Sequence, residues 1–241
     1  MDDWDTIDEI ETKYKKVMEI IKDVPRTFSN YDIFSNFYSN YILDYHSMIR
    51  KIFRILLVFL EYNNGVDYFQ GMNSIVGALA VHVEESKAFW MFIDLLEIYN
   101  LDDAYSPDLK GMHIFIAKIK LLMQSKFQAA HDHMLELGVN FEMFTVVWVI
   151  SFFCAYIPLN LTDIFFEKFF AEGWKVFYQI VFNIFKELEK EILRCQEMWE
   201  VLEVFKSIRS PDSHSQLENY NSKIYKNWKI TKRWKKILGV K

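Results

Sequence analysis

Apolar positions recur at helical intervals from the start of the chain. Ile7, Ile10, Tyr14, Val17, Ile20 and Ile21 share one face of a helix. Pro25 ends it by pushing Val24 out of the helical region. A second run, roughly Leu43 to Tyr62, aligns Ile49, Ile52, Phe53, Leu56, Leu57 and Leu60, then stops at Asn63-Asn64-Gly65, a left-handed terminator. From Met72 the spacing of Ile75, Val76, Leu79, Ala80 and Val83 is helical again, so Gln70 and Gly71 fall in a loop or first turn, their backbone amides open to whatever approaches. Further helices are predicted over Phe89 to Tyr99, Met112 to Met123, Lys126 to Leu137 and Leu161 to Glu172, with an irregular connection from Leu101 to Gly111. Trp174 to Arg194 is a long helix continuing through Glu197 to Ser207, and Ser222 to Leu238 is a terminal one.

With only 7 Gly and 4 Pro in 241 residues, few breakers interrupt these runs, and the pattern specifies an all-α fold. The hydrophobic content of 51% supports a sizeable core. Residues 1–241 are expected to form a single irregular multi-helix domain, with 1–22 as a lead-in helix. The polar stretch RSPDSHSQLENYN supplies an internal linker over 209–221 before the closing helix. Phe144 to Leu159, FTVVWVISFFCAYIPL, is too short for a bilayer crossing and is expected to be a helix buried on all sides.

A net charge of −5 excludes the global basic field of a nucleic-acid binder. The acidic opening MDDWDTIDEIETKYKK does not have the basic-then-apolar order of a secretory leader, and Cys154 and Cys195 both lie in apolar runs. The expectation is a cytoplasmic protein with reduced thiols.

The chemistry-bearing candidates lie in DVPRTF, Asp23 to Phe28, and DYFQGMN, Asp67 to Asn73. Gln is neither acid nor base at any useful pH, but its amide can hold a water through both its donors and its carbonyl. Taken alone, Arg26 three residues after Asp23 is a local ion pair, Gln70 a surface or capping amide, Tyr68 a core aromatic with a wet hydroxyl, and Asn73 a structural partner of nearby backbone.

Together these residues resemble a known family. Ile20, Asp23, Arg26 and Thr27 occupy the positions of an I-x-x-D-x-x-R-T signature, and Tyr68, Gln70, Gly71, Met72 and Asn73 those of Y-x-Q-G-M-N, the two signatures of the TBC domain of Rab GTPase-activating proteins. Arg54 to Asn63 falls where that family has R-x-L-x-x-Y-x-x-x-N, with Phe59 replacing the Tyr. Pro158-Leu159 through Glu172-Gly173 is similar to its P-L…E-G segment, and His113 to Met134 to its middle helices. The likeness runs from about Asp8 to Ser207. Two features depart from the family: only about 25 residues precede Arg26, and Ile164-Phe165-Phe166-Glu167 stands where R-x-W-D is usual.

The resemblance implies a GTPase activator without a substrate or cofactor of its own. Its partner would be a Rab-type GTPase in the GTP form, which itself binds the GTP and Mg, and the setting would be vesicle traffic. Arg26 would be an arginine finger and Gln70 a glutamine finger, supported by Asp23, Thr27, Tyr68, Gly71, Met72 and Asn73. Gly71 would let backbone approach the nucleotide, and Asp23 would hold Arg26. The alternative is a TBC-fold module that binds a Rab or other partner without stimulating hydrolysis.

His131-Asp132-His133 is set aside as a metal site, because histidines at i and i+2 point to different sides of a helix. The terminal segment interleaves Lys223, Lys226, Lys229, Lys232, Arg233, Lys235 and Lys236 with Tyr225, Trp228, Ile230, Trp234, Ile237 and Leu238. That pattern can serve peripheral contact with an anionic endomembrane, or form a helix whose apolar face packs on the domain. Packing is the favoured reading, since a helical core needs a closing helix.

Overall fold

The computed structural model describes residues 3–27, 45–62, 65–106, 108–157, 159–208, 223–225 and 230–240. Every regular element among the described residues is an α-helix or a 3₁₀ turn. Two compact units result: Met1–Pro107 with Ile150–Ala155, and Asp108–Val149 with Tyr156–Lys241.

In the first unit α1 (Asp3–Asp23) runs into a 3₁₀ turn at Val24–Arg26. Beyond it lie α2 (Tyr45–Tyr62), α3 (Met72–His82) and α4 (Glu85–Glu97), then a second 3₁₀ turn, Leu101–Tyr105. α3 is buried along most of its length, as its near-continuous apolar sequence requires. Polar contacts from α2 fix its end: Lys51 Nζ donates to the carbonyls of Ala80 at 2.7 Å and Val83 at 2.9 Å, satisfying acceptors left open at a helix terminus. Arg54 grips Glu85 of α4 through Nε and Nη2 at 2.7 and 2.5 Å. α2 ends at Tyr62 and Gly65 stands at φ +83, while Asn63 and Asn64 of the expected terminator lie outside the described residues.

The second unit holds α5 (Lys110–Lys126), α6 (Gln128–Glu136), α7 (Glu142–Ile150) up to Val149, its last residue Ile150 belonging to the first unit, α8 (Thr162–Glu172), α9 (Trp174–Ile192), α10 (Met198–Lys206) and α11 (Lys232–Leu238). α9 buries Phe177, Ile180, Val181, Ile184, Phe185 and Leu188. Phe144 stacks on Phe205 with centroids 4.1 Å apart, and Phe185 closes on both edge-on. In α8, Phe165 and Phe166, part of the departure from the family pattern, are buried, whereas Glu167 is exposed.

Several predicted elements are corrected. The run from Phe144 is helical only to Ile150; Phe152 and Phe153 follow at φ +49 and +62, both fully buried. Two successive aromatic residues in the left-handed region are held by packing against their local preference. The long helix from Trp174 stops at Ile192, and α10 begins afresh with a capping box between Glu197 and Glu200. α4 starts at Glu85, four residues before the predicted Phe89. No helix is long and apolar enough to cross a membrane among the described residues.

The terminal helix is shorter than its pattern implies. Thr231, extended at ψ 157, caps α11 by accepting from the Trp234 amide, so no continuous helix runs from Ser222 to Leu238. The linker expected over 209–221 lies outside the described residues, as do Lys226–Lys229, Phe28 and Pro158. Of the described apolar residues of this segment, Ile224, Tyr225, Trp234 and Leu238 are buried and Ile230 and Ile237 half-buried. Asn183 Nδ2 donates to the Ile224 carbonyl at 2.7 Å, and Lys118 Nζ to the Leu238 carbonyl at 2.9 Å. Tyr225 donates to the Leu161 carbonyl at 2.6 Å.

A packed tail makes Trp234→Ala destabilising by about 3–5 kcal/mol, the usual cost of emptying a buried tryptophan site. Urea unfolding is expected to show a lower midpoint at unchanged slope, with no binding to anionic vesicles by either form. An unchanged midpoint, together with salt-sensitive vesicle binding lost in the variant, would favour the membrane reading.

Candidate functional site

The two signature segments meet in the first unit, and hydrogen bonds join them. Pro25 at the start of the 3₁₀ turn tightens the chain after α1 and presents Arg26 at its end. Thr27 N–H closes the turn on the Val24 carbonyl at 3.0 Å. Asp23 is buried, with one carboxylate oxygen accepting from Tyr68 Oη at 2.9 Å and the other from Arg26 Nη2. Arg26 Nε also donates to the Lys22 carbonyl at 3.0 Å. The expected local ion pair is therefore present, yet the Arg26 side chain remains 65% exposed against 9% for that of Asp23.

From the second segment, Asn73 Nδ2 donates to Thr27 Oγ1 at 2.9 Å, and Thr27 Oγ1 donates to the Asp23 carbonyl at 3.2 Å. Asn73 Oδ1 accepts the Gly71 amide at 3.0 Å and faces Tyr68 Oη at 3.3 Å. Gly71 N–H and the guanidinium can only donate, so the direction of every link is fixed. Tyr68 has one proton and two acceptors in reach; the shorter contact and the full charge both favour Asp23. Burial, and then the Asp23 charge, push the Tyr68 hydroxyl well above the ordinary phenol range, so it stays a donor.

Gly71 begins α3 at φ +115, a conformation L side chains rarely adopt. A Cβ there would lie 2.7 Å from the Ile150 carbonyl oxygen. The expectation that its amide is open is corrected: Asn73 takes that amide, and the space beside the glycine belongs to Ile150. Met72 is fully buried, and its Sδ accepts the Phe69 amide at 3.3 Å. Asn73 bonds nearby backbone as expected. Gln70 lies exposed between Phe69 and Gly71.

Two contributors to this arrangement were missed by sequence reasoning. Tyr105 Oη donates to the Ile150 carbonyl at 2.7 Å, and its ring meets that of Phe69 at 5.6 Å. Tyr105 stands in a connection without periodicity and its partner is 45 residues away, so no short-range signal marks either.

The other clusters have local explanations. His131 Nδ1 lies 2.8 Å from Asp132 Oδ1, and His133 Nε2 lies 2.9 Å from the Cys195 carbonyl. Burial pushes both thiols up, Cys195 being raised further by Glu200 and Glu191, so neither is primed as a nucleophile.

The fold and the paired signatures define a helical domain of the TBC class. A family model described as the Rab-GTPase-TBC domain matches residues 2–193, and the chain belongs to that family. It is similar to TBC1 domain family member 2B of Homo sapiens, 29% identical over 164 residues, 67% of this chain and 16% of the relative. It is also similar to Rab GTPase-activating protein eat-17 of Caenorhabditis elegans, 25% identical over 181 residues, 75% of this chain and 19% of the relative. The matched stretches thus span under a fifth of either relative's length. The fold matches the crystal structure of the Chlamydomonas flagellar RabGAP TBC domain with a TM-score of 0.70 at 19% identity, over 90% of this chain and 70% of that one.

Tyr68→Phe removes the donor from a buried carboxylate and is expected to cost about 2 kcal/mol, measured by chemical unfolding. Gly71→Ala, forced against backbone at a positive φ, should cost more than about 1 kcal/mol. Wild-type stability in both variants would mean that the network does not tie the segments together.

Proposed function

We propose that this chain is a GTPase-activating module for a Rab-type small GTPase in its GTP form, acting in vesicle traffic, with Arg26 and Gln70 supplied in trans. The observation that carries the reading is the arrangement of the two signatures. Asp23, Thr27, Tyr68 and Asn73 are buried and bonded across the segments, whereas Arg26 and Gln70 are exposed. Family membership and the likeness to a worm protein named as a Rab GTPase-activating protein support it.

Hydrolysis on a small GTPase is slow because charge builds on the phosphates and the attacking water is poorly held. A guanidinium, planar and permanently protonated, neutralises that charge with fixed donors. An amide accepts a hydrogen bond from the water through its carbonyl and donates one to the γ-phosphate through its NH₂. Nucleotide and Mg belong to the GTPase, so this chain needs no cofactor. Asp23 keeps Arg26 from sampling its full range of rotamers before the partner arrives.

Single-turnover GTP hydrolysis across a panel of purified Rab proteins tests the reading, and strong acceleration of at least one is expected. On that Rab, Arg26→Ala and Gln70→Ala should each lower the stimulated rate by on the order of 10²-fold or more, given the size of arginine-finger effects. Arg26→Lys should remain poor, because an ammonium keeps the charge and loses the planar fork. A Rab lacking its own catalytic glutamine should still respond. Full activity in both alanine variants, folded by circular dichroism, would refute the two-finger mechanism; binding without acceleration would favour the non-catalytic module.

A further inference from the structure

Gln70 is exposed, so its own burial cannot hold it; whatever sets its position must act through its neighbours. Tyr105 reaches both of them. Its ring lies against Phe69, immediately before Gln70, with centroids 5.6 Å apart. Its hydroxyl donates at 2.7 Å to the Ile150 carbonyl, whose oxygen fills the space beside Gly71, immediately after Gln70. In a continuing helix that carbonyl would accept from the amide of Cys154. The Cys154 amide instead donates to Ser151 at 2.8 Å, and the chain leaves α7 through the left-handed Phe152 and Phe153. The Ile150 peptide is thus turned toward the Gln70–Gly71 turn and pinned there by one phenol. Burial keeps that hydroxyl protonated by pushing it far above the ordinary phenol range.

We infer that Tyr105 is a positioning residue for Gln70: its bond to the Ile150 carbonyl and its ring against Phe69 seat the Gln70–Gly71 turn, an assignment that rests on the GTPase-activating reading. The phenol touches no substrate. Its effect passes through the backbone on either side of the glutamine and leaves the Asp23–Arg26 pair alone.

Tyr105→Phe keeps the ring and removes only the hydroxyl. On a responsive Rab it should lower the maximal stimulated rate about tenfold with half-saturation unchanged, in line with the cost of a small misplacement of a reacting group. In a Gln70→Ala background the same change should have less than about a twofold effect, because the group it positions is gone. In an Arg26→Ala background the tenfold loss should persist. A multiplicative loss in both backgrounds, or a change in half-saturation alone, overturns the assignment. Hydrogen exchange on the chain by itself gives a readout that needs no Rab. Tyr105→Phe should speed exchange of the amides over 69–74 and leave 24–27 and 45–62 as in wild type. Unchanged exchange at 69–74, or a uniform increase across 45–105 from general loosening, overturns it as well. If the wild-type chain activates no Rab, the functional reading fails, while hydrogen exchange still decides whether Tyr105 seats the turn.

Discussion

A buried carboxylate placed between a phenol and a guanidinium organises the first unit. Asp23 ends α1, and its two oxygens look in opposite senses: one toward Tyr68 in the core, the other toward Arg26 at the surface. Burying a charge without partners is prohibitive, so this carboxylate must bind on both sides. Each partner then acquires a fixed place: Tyr68 brings the second signature against the first, and Arg26 is drawn back along the last turn of α1. Thr27 and Asn73 repeat the crossing a turn away with neutral groups, which fixes the angle as well as the contact.

Around that centre the irregular backbone does what helices cannot. A helix spends its carbonyls on itself; only where one ends can a carbonyl be offered to another segment. Ile150 is such a point, accepting from Tyr105 and abutting Gly71. The cost is visible in the two left-handed phenylalanines that follow, both wholly buried. A side chain at residue 71 would close the gap, and so glycine at this position answers to Ile150 within the fold itself.

Helix content and most of the core were legible because an amphipathic period is local information: α1, α2, α3, α8 and most of α9 fall where the pattern puts them. The signatures were legible for a different reason, as fixed spacings of Asp23, Arg26 and Thr27 and of Tyr68, Gln70 and Asn73 that a known family shares. What failed was whatever depends on distant partners. The apolar run after Phe144 looked like a longer helix because nothing local announces that Tyr105 will take its carbonyl. The long helix from Trp174 looked continuous because Glu197 and Glu200 become a capping box only once the chain has turned. The terminal segment looked like one basic helix because its period survives a break at Thr231.

A group that acts on another molecule must be exposed beforehand, and exposure deprives it of the packing that orders a core side chain. Freezing a long polar side chain costs up to about 2 kcal/mol, a cost met during association unless it has been met in folding. The first unit handles its two exposed candidates differently. Arg26, long and charged, is restrained directly by hydrogen bonds to Asp23 and to the Lys22 carbonyl. Gln70, shorter and neutral, is restrained through its backbone: Phe69 packs on Tyr105 and binds Met72 Sδ, and Gly71 is held by Asn73 and abuts Ile150. The difference follows from chemistry. A guanidinium can lend some of its five donors to the chain and keep others for an incoming anion, whereas an amide, with two donors and one carbonyl, has fewer groups to lend. For a neutral amide, holding the turn beneath it is the alternative to bonding the side chain itself, and the contacts of Phe69, Gly71 and Asn73 hold this turn.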